Sequence, residues 1–390
     1  MNNIQFKNLD NLLSVYKEAL KDNRNLYYFP SDESQGLLIE REKNFLARLL
    51  DDTKELSESN LAMQRSYNTY LLYAQYALVA LEDKELCIKN FSISSLYGSL
   101  AIYLTANTSG CFDAEKDDVE EVLLINQGYL SQYISSLILC AWWDEVDKNI
   151  NLLKQDLEHK NAHTLIVTQD NQLETNLYFI LALHAKMNKI ELDIGEFELP
   201  SFTHPYDKIL QIYDTKDIKE VDRWVYLLCD TRLELIKENK NFKHITTQLF
   251  AYEILAWLAI RKEIGLQNPK EFSHPLMSIP IVKLFLQIQT PLPKPTKLLY
   301  VDELLEKIAS KCLDVKIDND ALSQNKTPLS NTLAPKTGRY RATLPNTHLQ
   351  ANQLEGDPHS YARFLKDDTF IYEGLEDYDL SEITWSYIGD

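Results

Sequence analysis

The stretch YNTYLLYAQYALVAL, residues 67–81, decides the fold class. Each of Tyr67, Tyr70, Leu71, Ala74, Ala77, Leu78 and Leu81 has another of the set three or four positions away, which lays one continuous apolar stripe along a helix. Outward from it, residues 4–21, 37–52, 61–82, 86–106, 117–140, 142–158, 172–188, 217–238, 244–264 and 297–311 carry apolar residues at the same spacing. Pro30 is the single proline before position 200, so long helices run uninterrupted there. Gly265 follows AIRKEI, where a C-cap glycine is expected. A tetratricopeptide array would repeat Trp, Gly, Ala and Pro about every 34 residues, and no such recurrence is found. The expected fold is therefore mainly α, an irregular antiparallel multi-helix bundle joined by short polar turns.

The style of the sequence changes near residue 312. NPKEFSHPLMSIP (268–280) and TPLPKPTK (290–297) are dense in proline and read as ordered loops leading into a last helix at 297–311. DVKIDNDALSQNKTPLSNTLAPKTG (314–338) is polar and aperiodic, as a linker is. Beyond it GRYRATLP, DTFIYEG and EITWSYIG are rich in β-branched and aromatic residues and read as short strands. NTHLQANQL or HSYARFLK supplies a helix-like stretch between the first two. The expected organisation is a helical domain at 1–312, a linker at 313–337 and a small acidic C-terminal module, α+β or β, at 338–390.

The chain holds 58 acidic and 40 basic residues, a net charge of -18. Residues 351–390 carry ten acidic and two basic side chains, a net of -8, so the acidity is concentrated at the end. Such a field disfavours nucleic acid phosphates and anionic lipid as partners and speeds encounter with a basic one. Near the terminus Ile383, Trp385 and Tyr387 alternate with Glu382, Thr384 and Ser386, which suits a half-buried strand better than an unstructured tail. Glu373, Glu376, Asp377, Tyr378, Asp379 and Trp385 form the first candidate partner-binding surface, and Trp142 with Trp143 the second.

The N-terminal 25 residues lack a basic stretch followed by a continuous apolar one, and YLLYAQYALVAL and FAYEILAWLAI are too short or too polar at their flanks to span a bilayer. Cys87, Cys111, Cys140, Cys229 and Cys312 are odd in number and dispersed, which points to reduced thiols in the cytoplasm rather than a disulfide framework.

No G-x-S-x-G, G-x-x-x-x-G-K-[ST], G-x-G-x-x-G, H-E-x-x-H or C-x-x-C occurs, and the chain has only ten glycines for phosphate-cradling loops, against the commonest hydrolase, nucleotide-binding and redox classes. No cofactor and no metal are expected. His159 and His163 have i, i+4 spacing, but EHKNAH is polar and reads as a solvated helix end rather than a metal site. In AWWDEVDKN, Asp144, Glu145 and Asp147 beside paired tryptophans invite an acid–base or sugar site. The structural reading prevails: one Trp in the core, the other at a helix boundary, the carboxylates on the solvated face. Glu253 lies on an apolar helix with Arg261 two turns later, and Asp222, Arg223 and Arg232 are further possible neighbours. A buried, paired carboxylate of this kind is more often structural than catalytic.

The segment FAYEILAWLAIRKEIGLQNPKEFSHPLM (250–277) resembles the C-terminal signature of the immunity protein 49 family of bacterial polymorphic toxin systems. A helix of the form E-x-L-A-W-L-A-x-R-x-x-x-G-L is followed there by a short loop and H-P-L. Glu253, Leu255, Ala256, Trp257, Leu258, Arg261, Gly265, Leu266, His274, Pro275 and Leu276 match it. The resemblance implies a cytoplasmic protein, not an enzyme, that binds and neutralises a cognate toxin encoded by an adjacent gene. That toxin would be a secretion-system effector of the type VI kind, silenced by covering its active site or substrate entrance. Within the motif, Glu253, Trp257, Arg261, Gly265, His274 and Pro275 are expected to be structural. The rival expectations are a helical adaptor for a non-toxin protein and an enzyme acting on toxin products.

Overall fold

The computed structural model describes residues 57–108, 125–158, 166–167, 172–195, 197–200, 204–237, 250–288, 290–295, 298, 301, 338–343, 361–364 and 384–389. The chain divides into two compact units, Met1–Val315 and Lys316–Asp390. The fold is mainly α, with nine α-helices among the described residues of the first unit. None of these helices is long and apolar enough to cross a membrane.

Helices α1 (Ser57–Ala80) and α2 (Lys84–Thr108) pack along their lengths as a hairpin. The apolar stripe of α1 buries Tyr67, Leu71, Ala74, Ala77 and Leu78, while Leu81, just past the helix end, is exposed. Asp83 starts α2 by accepting the Leu86 N–H on Oδ1 at 2.9 Å, satisfying one orphan donor of the first turn. Gly98 sits where α2 meets two rings: a Cβ there would lie 3.0 Å from atoms of Tyr67 and Tyr133. Those rings are themselves edge to face with centroids 4.4 Å apart.

Strand β1 (Ile125–Asn126) pairs in parallel with β2 (Ile166–Val167), and Asn126 caps α3 (Gln127–Cys140) by accepting the Gly128 N–H at 2.8 Å. In α3 every residue except Tyr129 is buried, including the polar Gln127, Ser131, Gln132, Ser135 and Ser136, because neighbouring helices surround it. It packs against α2, α4 (Trp143–Glu158), α5 (Thr175–Met187) and α8 (Tyr252–Glu263). Of its serines, Ser131 and Ser135 donate back to the Gly128 and Ser131 carbonyls at 2.8 and 2.6 Å, while Ser136 Oγ meets the Tyr67 hydroxyl of α1 at 2.9 Å. Helix α8 is the second central element, touching α3, α5, α7 (Ile218–Lys237) and α9 (Pro280–Gln287). The short α6 (Tyr206–Ile212) lies against α5.

Several expectations from sequence are corrected. The proline-rich stretch expected to be loop contains a 3-10 turn, Pro275–Ser278, and α9, whose Pro280 stands in the first turn, where a missing N–H costs nothing. The helix expected at 117–140 is broken by β1 at Ile125–Asn126, with α3 starting at Gln127; residues 117–124 of that expectation lie outside the described residues. Helix α6, seven residues long, is too short to leave a periodic signal. The expected helices at 4–21 and 37–52, the linker at 313–337 and the strand DTFIYEG lie outside the described residues, as does 297–311 apart from residues 298 and 301.

In the second unit β3 (Gly338–Thr343) is the central strand, antiparallel to both β4 (Tyr361–Phe364) and β5 (Thr384–Gly389). Strand β4 falls in HSYARFLK, read from sequence as helix-like; a helix so short is marginal alone, whereas pairing with β3 satisfies its backbone. In the register, Tyr340 opposes Ala362 and Tyr387, and Ala342 opposes Trp385. The terminal β5 is thus an edge of this sheet, with Trp385 and Tyr387 at alternate positions on one face.

Candidate functional site

Glu253, Trp257 and Arg261 recur every fourth residue of α8 and so share a face. Glu253 ties the helix to α7, while Trp257 and Arg261 tie it to Tyr213 beyond α6. Glu253, fully buried, accepts from Arg232 of α7, Nη1 to Oε2 at 2.5 Å. The same guanidinium donates through Nη2 to the Phe250 carbonyl at 2.8 Å and lies 5.1 Å from the centre of the Tyr252 ring. Of the possible neighbours of Glu253 considered from sequence, Arg232 is thus the one that pairs with it. Trp257 Nε1 and Arg261 Nη1 both donate to the Tyr213 carbonyl, at 3.2 and 3.0 Å. Arg261 also donates to Asn268 Oδ1 and the Gln267 carbonyl, each at 3.0 Å. Every arm of its fork is used, so its charge can leave water.

Gly265 closes α8 at φ +82°. The Leu266 and Gly265 N–H groups donate to the Arg261 and Lys262 carbonyls at 2.8 and 3.1 Å, an arrangement that needs a left-handed residue and favours glycine. His274 caps the turn at Pro275: its Nδ1 accepts the Leu276 N–H at 3.0 Å. The proton of the neutral ring therefore sits on Nε2, 3.4 Å from Asp230 Oδ1. Burial holds this imidazole below its usual pKa, and Asp230 only partly restores it. With both nitrogens engaged, the Asp230–His274 pair leaves no free basic nitrogen.

The Trp142 and Trp143 region is built by the end of α3. Ala141 takes a left-handed conformation, φ +54°, and the turn sends Trp142 inward. Its Nε1 donates to the Leu292 carbonyl at 2.9 Å, while the Leu292 N–H donates to the Cys140 carbonyl at 2.9 Å. Trp142 is buried and Trp143 half-buried. Of the carboxylates expected on the solvated face, Asp144 is exposed but Glu145 is buried. Glu145 Oε2 accepts from Ser99 Oγ at 3.0 Å and Oε1 from Lys294 Nζ at 2.6 Å; these donors compensate its desolvation. Asp147 instead meets His184 of α5, Oδ1 to Nε2 at 2.7 Å. Burial lowers the His184 pKa, and the hydrogen bond to Asp147 opposes this. Glu145 and Asp147 are thus engaged by different elements rather than turned on a shared substrate.

Glu373, Glu376, Asp377, Tyr378, Asp379, His159 and His163 lie outside the described residues, and Trp385 is placed by backbone register in β5. Sequence reasoning missed Ser99, Lys294, Asn268 and His184, which carry no local signal because their partners are 7 to 149 positions away. Among the described residues no group of three His, Cys, Asp or Glu is placed to hold a metal ion. Cys87, Cys140 and Cys229 are buried and free; burial pushes the thiols of Cys87 and Cys140 up to about 12, and raises that of Cys229 as well. No protein-family model, no curated protein and no solved structure matches the chain.

Proposed function

We propose that the chain acts by binding another protein, and that it is an immunity protein which neutralises a cognate toxin in the cytoplasm, the toxin being a secretion-system effector encoded by an adjacent gene. One observation carries the binding part. The buried ionisable side chains Arg232, Glu253, Arg261, Glu145, His184 and His274 are each committed to joining elements of the scaffold, which leaves recognition to the surface. The net charge of -18 favours a basic partner by drawing it in at long range. The resemblance of residues 250–277 supplies the toxin–immunity class. Neutralisation then consists of laying carboxylates and apolar anchors over the toxin's active site or substrate entrance.

The test is co-expression with the product of the adjacent gene, scoring growth and co-purification. A neighbour that kills alone and is silenced in a stable complex supports the immunity reading. A harmless, unbound neighbour removes it and leaves the adaptor and enzyme readings in its place, with a metal analysis of the purified protein next.

A further inference from the structure

Leu199 and Ile190 are the most exposed of the large apolar side chains among the described residues, at 55% and 46%, and both line one groove of about 480 Å³. Single exposed apolar residues are ordinary on a protein surface; two that share a concavity mark a place for a partner. Helix α5 supplies Ala182 and Ala185 to the groove and α6 supplies Leu210. Ile190, Leu192, Ile194 and Leu199 add to the lining; they belong to IELDIGEFEL, residues 190–199, in whose sequence apolar and acidic residues largely alternate. Glu191, Asp193 and Glu198 of that segment are exposed along the groove's rim.

The segment is anchored at both ends. The Ile190 N–H donates to the Ala185 carbonyl at 2.9 Å, and the Glu198 and Leu199 carbonyls accept from Leu173 N–H at 3.1 Å and Gln172 Nε2 at 2.9 Å. Lys186 of α5 is itself part of the lining, with its Nζ 5.5 Å from the centre of the Tyr213 ring; Lys189 is exposed beside Ile190, and Lys208 Nζ donates to Gln211 Oε1 at 3.1 Å. Glu191 and Glu198 form no side-chain ion pair among the described residues, so their carboxylates stand open to a partner's cations even with Lys186 and Lys189 in the vicinity.

We propose that this groove docks a basic segment of a polypeptide partner, which inserts an apolar side chain between Leu199 and Ile190 and sets lysines or arginines against Glu191, Asp193 and Glu198. This rests on the reading above that the partner is a basic protein. The apolar contact holds the complex, and the carboxylate rim selects the sign of the partner and speeds its arrival.

The experiment uses the full-length protein and a fluorescent peptide of alternating leucine and lysine, with a leucine–glutamate peptide as control. The variants are Leu199→Asp, Ile190→Asp and the combined Glu191→Lys, Asp193→Lys and Glu198→Lys, each first checked for an unchanged melting curve. The lysine peptide is expected to bind the parent chain, about tenfold more weakly to each variant, and more weakly as salt rises. The proposal is overturned if the parent does not bind it, if the variants bind it within about twofold of the parent, or if the glutamate peptide binds equally well. The toxin reading is judged separately by co-expression. Failure to silence the neighbour while the groove still discriminates the peptides removes the toxin and leaves the groove; silencing without discrimination does the reverse.

Discussion

Arg232 and Glu253, both without exposed surface, meet between α7 and α8 with Nη1 2.5 Å from Oε2. Removing one partner strands the other's charge in the interior. Arg232→Met or Glu253→Leu alone is expected to cost about 3–5 kcal/mol, and the double replacement less than the sum of the two. Urea unfolding of the two single variants and the double measures this, and additive losses would show that the charges do not act as a pair.

Ala141 holds a left-handed conformation, φ +54° and ψ 40°, between α3 and α4. A Cβ in that region costs about 1–2 kcal/mol, part of which glycine gives back through the unfolded chain. Ala141→Gly is therefore expected to stabilise the protein by up to about 1 kcal/mol, read as a higher melting temperature.

A methyl group at Gly98 would sit 3.0 Å from the Tyr67 and Tyr133 rings, so these rings must give by a few tenths of an ångström to admit it. Tyr67 is pinned in turn by its hydroxyl contact to Ser136 Oγ at 2.9 Å and by Ser94, which donates to its carbonyl at 2.7 Å. Gly98→Ala should destabilise by about 1–3 kcal/mol despite the better helix propensity of alanine. Thermal unfolding decides between the two effects.

His184 and His274 are held below the usual imidazole pKa by burial, partly opposed by Asp147 and Asp230. In the unfolded chain both take up protons near pH 6.5, before the folded protein does. Their contribution to stability is therefore fully present above about pH 6.5 and is lost as pH falls toward the folded values. The urea midpoint should drop between pH 7.5 and pH 5.5, and the drop should shrink in His184→Gln and His274→Gln.

The thiols of Cys87, Cys140 and Cys229 are buried, with pKa values raised by that burial. Since the thiolate is the reactive form, iodoacetamide at pH 8 should leave all three unmodified in the folded protein and alkylate them in urea. Peptide mass spectrometry reads the result site by site.

The helical body is legible in the sequence wherever burial repeats at helical spacing, as the stripe from Tyr67 to Leu78 shows. Gly265 is legible for a different reason, since a chain leaving a helix there needs φ above zero and glycine supplies it. Helix α9 was hidden because proline is a helix start as well as a breaker, and only the packing of Ile281, Val282 and Phe285 into the core distinguishes the two. Glu145 reads as a surface residue because the groups that let it be buried, Ser99 and Lys294, come from elements 46 and 149 positions away. The groove between α5 and α6 is similarly silent: the alternation in IELDIGEFEL is visible, but which side meets α5 is decided by the fold.

Helix α3 leaves the ribosome with thirteen of its fourteen residues destined for burial, yet α8, which covers it, begins at Tyr252. At about 5–20 residues per second, synthesis of the intervening chain takes on the order of ten seconds. For that interval α2, α4 and α5 can already pack on α3, but the face that α8 will cover stays open, a surface that holding chaperones can shield. Slowing elongation between Ala141 and Ala251 lengthens that exposure and should lower the yield of folded protein without altering the stability of the molecules that finish.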